Sequence, residues 1–242
     1  GRDDVRLRLA GIPPGRRVDP DLVLADVHGE AAAGLPDVMA LTAPQIIEVM
    51  EEARKQRMIF MVHVADPVAF FAPLDRFNER WEELHAHSDW HFPSPPYPPF
   101  ESIVAALARL AESHPRTTFI GAHVGCYAEN LNWVGQMLEN CPNYYIDFSA
   151  RIAELGRQPY SARRFFIQYA DRILFGLDQT PRLEAYQLAY RFLESDDEYF
   201  NYGLREIPTQ GRWRIYGLHL PDEVLEKVYS GNAARLFDAK AG

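Results

Sequence analysis

Residues 58–66 read MIFMVHVAD: an apolar run of the kind both faces of a covered parallel strand require, stopping at one ionisable residue, His63. Residues 117–125 (TTFIGAHVG) and 173–180 (ILFGLDQT) repeat the pattern and stop at His123 and Asp178. Burying an imidazole or a carboxylate costs several kcal/mol unless a metal, a charge or hydrogen bonds satisfy it, on the order set by polar transfer. Three such groups at equivalent strand ends point to one shared site.

Working outward, amphipathic helices alternate with these strands, which predicts βα units and a parallel sheet. Thr42-Ala-Pro-Gln45 has the N-cap hydroxyl, early proline and capping-box glutamine of a helix start. The apolar spacing of Phe100, Ile103, Val104, Leu107 and Leu110 predicts a helix into strand 117–123. Further helices are expected near 128–139, 161–170 and 182–194, with a strand in NYYIDFS (143–149) and a last helix in LPDEVLEKVYSGNAARLF (220–237). Successive strand ends after His123 fall about one βα unit apart. Residues 66–99 interrupt that rhythm with an insertion rich in proline and aromatic residues.

Composition bounds the function. The chain has 242 residues, 47% hydrophobic and 24% charged, as an ordinary globular protein does. A net charge of −9 repels phosphate backbones and argues against a nucleic-acid partner. No run approaches the roughly 18 apolar residues of a membrane span, and residues 1–11 carry too short an apolar stretch for a signal peptide, so a cytoplasmic location is expected. Cys126 and Cys141 lack Cys-x-x-Cys spacing and are expected to be reduced. Because the chain opens on Gly1 and shows no clear strand before residue 20, it reads as the C-terminal portion of something longer.

A lone histidine at a strand end is more often a satisfied structural residue than a ligand, and Asp178, shortly before Pro181, could simply cap a helix. Taken together, two imidazoles and a carboxylate suit a divalent metal, Zn foremost, which lowers the pKa of bound water to about 7. Gly176 permits close backbone approach beside Asp178.

HVAD around His63, GAHVG around His123, FGLD around Asp178 and the closing YSGNAARLF together resemble the C-terminal half of the amidohydrolase-related (amidohydrolase 2) family, over roughly residues 42–237. That resemblance implies an α/β fold of (β/α)8 TIM-barrel type, incomplete at its N-terminus, with strands five to eight the clearest. Residues 1–41 would be an irregular remnant of the first half, and 42–242 the barrel half carrying the 66–99 insertion. It implies that His63 is a metal ligand ending the fifth strand. His123, ending the sixth, would be a ligand or substrate partner, and Asp178, ending the eighth, a metal ligand and general base. Arg151, beyond the seventh strand, could clamp an anionic substrate group, or form an interloop salt bridge.

The sequence also departs from the family pattern. The His-x-His expected at the end of the first strand is missing in that context. His85-Ala-His87 has the spacing but sits in the insertion, and Asp26-Val-His28 has Glu30 where a second histidine belongs. The chain by itself is therefore expected to hold metal weakly. Leu177 also stands where the family usually has threonine. In the insertion, Trp81 and Trp90 are candidate substrate contacts if it is a lid, whereas a docked loop or homo-oligomer contact is the alternative. The expected activity is a metal-dependent hydrolase of a small, aromatic or carboxylated substrate. The alternatives are a nonoxidative decarboxylase of the same family and an inactive domain used for assembly.

Overall fold

The computed structural model describes residues 54–56, 58–203 and 205–238. The helix start at 42–45, the Asp26–His28 motif and the N-terminal segment 1–41 lie outside the described residues.

Among the described residues, four strands form one parallel sheet in sequential order: β1 (Ile59–Val62), β2 (Thr118–Gly121), β3 (Tyr144–Asp147) and β4 (Ile173–Leu174). Sequential parallel neighbours joined by helices are what right-handed βα crossovers produce. Alternate residues set the two faces. Phe60, Val62, Phe119, Tyr144 and Ile146 are buried in the main core against the helices, while Ile120 and Leu174 pack in a separate cluster with Leu236.

The helix Phe100–Ser113 (α1) buries Phe100, Ile103, Val104, Leu107, Leu110 and Ala111, the stripe its spacing predicted. In Leu131–Asn140 (α2) the Asn130 side chain caps the N-terminus by accepting the Trp133 N–H at 3.1 Å. Pro159 opens Pro159–Gln168 (α3), and Leu183–Glu194 (α4) follows β4.

Two differences from the sequence expectation matter. First, the strands are shorter than 58–64 and 117–123, and beyond the ends of β2 and β4 His123 and Asp178 both adopt left-handed backbone, at φ 58° and 56°. Secondly, the last helix is not continuous. A π-helical turn over Lys227–Gly231 separates Asp222–Glu226 from Asn232–Asp238. Asn232 donates through Nδ2 to the carbonyls of Ala170 and Ile173, both at 2.7 Å, and so pins the C-terminal helix to the start of β4. That is the structural work of the SGN sequence.

The 66–99 insertion packs its own small cluster, Phe70, Leu84 and Phe92 with Trp90 and Tyr97 around them. Buried Arg80 docks it on the body, paired with Glu83 at 2.7 Å and with Glu154 in the turn after β3. Burial works against that guanidinium's charge, but the two carboxylates outweigh it and hold its pKa above the ordinary value. Arg157 adds a two-pronged pair to Glu79 at 2.7 and 2.9 Å. Both cysteines are buried and free. No helix among the described residues is long and apolar enough to cross a membrane.

Candidate functional site

The C-terminal ends of the four strands bring His63, His123, Ser149 and Asp178 to one side of the sheet. His63 directly follows β1, half-buried, with Nε2 3.2 Å from the Ala65 carbonyl. One residue on, the Val64 N–H donates to Cys126 Sγ at 3.4 Å, tying the chain beyond β1 to the chain beyond β2.

After β2 the chain makes a left-handed turn through His123, Val124, Gly125 and Cys126, with φ between 58° and 63°. Each non-glycine residue in that region costs about 1–2 kcal/mol, a strain that collects at functional sites when neighbours enforce it. Here the Cys126 N–H closes the turn on the carbonyls of Ala122 and His123, at 2.9 and 3.1 Å, and Val124 is buried beneath. The turn carries the His123 imidazole to within 3.6 Å of Asp178, Nε2 to Oδ2. His63 meets His123 edge to face, with ring centroids 4.8 Å apart.

Behind His123, the Ser149 carbonyl and hydroxyl lie 2.8 and 3.0 Å from Nδ1. Asp147 underlies both: its Oδ1 accepts the N–H of Ser149 at 2.8 Å and of His123 at 3.2 Å. Burial raises the Asp147 carboxyl above the ordinary range despite these donors. Asp178, by contrast, is half exposed at the rim. Beside it opens a cavity of about 250 Å³ whose lining includes Phe148, Ile152, Leu177, Asp178, Tyr202 and Gln210.

A metal fits this arrangement in part. With Nδ1 turned to the Ser149 carbonyl, Nε2 is the ring nitrogen that faces Asp178 and would face a cation. Two ligands about 2.0–2.2 Å from one tetrahedral ion stand roughly 3.4 Å apart, close to the 3.6 Å seen. Yet no group of three His, Cys, Asp or Glu side chains that could hold an ion occurs among the described residues. The described residues thus supply a pair of donors with His63 alongside, rather than a closed cage.

The other candidates sit elsewhere. Arg151 is buried and donates through Nη1 to the Ala150 carbonyl at 3.0 Å. The cavity is lined by its neighbours Ala150 and Ile152 and not by Arg151 itself. Trp81 lies over His85 with ring centroids 3.9 Å apart, and Trp90 stacks on His87 at 4.1 Å within the insertion's cluster. Neither tryptophan lines the cavity. What sequence reasoning missed is the support, Asp147 and Ser149, and the cavity wall from Tyr202, Gly203 and Pro208 to Gln210. The Asp-x-Ser at the end of a strand was the available signal, since such residues bond to nearby backbone.

The amidohydrolase family pattern matches residues 15–239, most of the chain. The chain belongs to the amidohydrolase family. Its members share the (β/α)8 barrel, are generally enzymes and typically bind divalent metals; the sequential parallel strands here are part of such a wall. A solved structure of an uncharacterized TIM-barrel protein from Bordetella bronchiseptica is similar at 12% identity, with a TM-score of 0.44. That match covers 83% of this chain and 52% of the other, so this chain spans about half that protein's length. No curated protein matches the chain.

Proposed function

We propose that this amidohydrolase-family chain carries the working part of a metal-dependent hydrolase acting on a small, uncharged substrate, with His63, His123 and Asp178 at its centre. One observation carries the reading: His123 Nε2 faces Asp178 Oδ2 at 3.6 Å, with the imidazole held from behind and Asp178 itself lining a cavity. His123 through Nε2 and Asp178 would contribute two ligands to a divalent cation, Zn foremost, with His63 alongside. When bound, the ion supplies Lewis acidity and lowers the pKa of water to about 7. Asp178 orients the attacking water and takes its proton as the new C–O bond forms at a C=O or C=N carbon. It returns that proton to the leaving group as the second bond breaks.

The decarboxylase reading uses the same residues, with Asp178 delivering a proton to carbon as CO2 departs. The cavity favours hydrolysis, because its described lining bears no cationic side chain to greet a carboxylated substrate, Arg151 included.

Zn titration by calorimetry on the purified chain, with H123A and D178N beside it, tests the site. Weak binding that both variants abolish is expected. The Zn-supplied chain is then offered neutral esters, lactones and amides, and separately carboxylated phenols with CO2 detection. Hydrolysis lost in D178N supports the proposal. CO2 release alone would transfer it to the lyase. Zn binding indifferent to both variants, with no turnover, would leave an assembly domain.

A further inference from the structure

A neutral histidine has two tautomers of similar energy, and its neighbours decide which nitrogen keeps the proton. Around His123 the decision runs through two residues that do not line the cavity. Asp147 Oδ1 accepts the Ser149 hydroxyl proton as well as the two backbone N–H groups. An oxygen receiving three donors is an acceptor whatever the carboxyl's protonation, since any proton would reside on the other oxygen. The Ser149 hydroxyl is thereby committed to Asp147 and can only accept from His123. With the Ser149 carbonyl beside it, both groups facing Nδ1 are acceptors. Nδ1 must therefore carry the hydrogen. On the opposite side, Asp178 pulls for a proton on Nε2 from 3.6 Å, so the outcome depends on the strength of the hold from behind.

We propose that Asp147 and Ser149 are positioning residues that act in series to fix His123 as its Nδ1–H tautomer, leaving the Nε2 lone pair facing Asp178. The inference rests on the reading of His123 and Asp178 as the working pair. Asp147 has a second task in the same arrangement: by accepting the His123 N–H it anchors the left-handed turn that aims the ring. One carboxylate oxygen thus governs both the orientation and the protonation pattern of the imidazole.

The test uses the metal-free chain labelled with 15N at histidine, with H123Q to assign the His123 signals. At about pH 8 an ordinary imidazole is neutral, and the two ring nitrogens report the tautomer directly. Wild type is expected to favour Nδ1–H at least tenfold. S149T and D147N, which keep the hydroxyl and the acceptor oxygen, should retain that preference. S149A should lose at least threefold of it, and D147A should bring the two tautomers within about threefold of each other. If D147A does not fold, S149A carries the test by itself. Zn affinity should fall about 10–100-fold in S149A, the usual loss when the partner behind a ligand is removed. An Nδ1–H preference unchanged in S149A, or an Nε2–H tautomer in wild type, overturns the proposal. Both readouts are independent of turnover. A relay seen in a chain that hydrolyses nothing would count against the hydrolase reading alone, and an active chain with an indifferent S149A would count against the relay alone.

Discussion

Tyr144→Phe should stabilise this protein, which is unusual for a change in a fully buried β-strand. The Tyr144 ring is fully buried under the His123 turn, and its hydroxyl has no hydrogen-bond partner among the described residues. Burial accordingly pushes the phenol pKa well above its usual value. A buried hydroxyl without a partner costs about 1–3 kcal/mol, and phenylalanine removes the cost while leaving the ring contacts. Against this stands a small loss of packing, so a net gain of about 1 kcal/mol is expected, or roughly 2–4 °C in Tm for a chain of this size. The neighbouring glycine supplies an internal control. A Cβ on Gly121 would lie 1.8 Å from the Tyr144 oxygen and 2.5 Å from Cζ. Backbone strain does not enter, because Gly121 has an ordinary φ of −77°. A second close neighbour is backbone that cannot swing away, the Gly125 Cα at 3.0 Å from the same Cβ position. Gly121→Ala should therefore cost about 3 kcal/mol, the upper part of the overpacking range. In the Tyr144→Phe background the closest clash disappears but the Cζ clash stays, so the cost should fall by about 1 kcal/mol rather than vanish. Urea unfolding of the four proteins measures all three quantities. A Tyr144→Phe variant less stable by more than about 1 kcal/mol, or a strictly additive pair, would refute the reasoning.

Arg80→Ala strands the buried Glu83 and Glu154 carboxylates and should cost about 3–5 kcal/mol in urea unfolding, whereas Arg80→Met with Glu83→Gln and Glu154→Gln should cost much less. Burial pushes the Cys126 thiol up to about 11, so its contribution to stability is fully present below the unfolded thiol value of about 8.5 and is lost as pH rises toward 11; a thiol reagent at mildly alkaline pH should label neither cysteine until urea unfolds the chain. Trp90→Ala should lose stability, by less than the roughly 3–5 kcal/mol of a fully buried tryptophan because Trp90 is partly buried, with Zn affinity unchanged, since it packs inside the insertion; unaltered stability with lost ligand binding would restore the lid reading.

How much was legible beforehand follows from what each signal depends on. Helix Phe100–Ser113 and helix Leu183–Glu194 were readable because an apolar stripe at helical spacing is a local property of the chain. The strands were readable as runs, but their ends were not. His123 and Asp178 depart from extended backbone under constraint from segments distant in sequence, the Cys126–Val64 contact among them. The aromatic insertion was visible as a composition shift, while its docking depends on Arg80 meeting Glu154 across 74 positions of chain, which no local pattern announces.

By itself the sequence determined the class of protein: parallel βα units, the strand ends at which ionisable residues occur, and the amidohydrolase resemblance those residues carry. Hydrophobic period and residue type are local quantities, and they survive without a structure. Only the tertiary fold decided which groups meet: that His123 faces Asp178, that Arg151 is buried against the Ala150 carbonyl, and that Asp147 and Ser149 stand behind the imidazole. The reason is one of scale. Hydrogen bonds act over about 3 Å, while the residues they join here come from different strands, and only the parallel register of the sheet brings those strand ends into range.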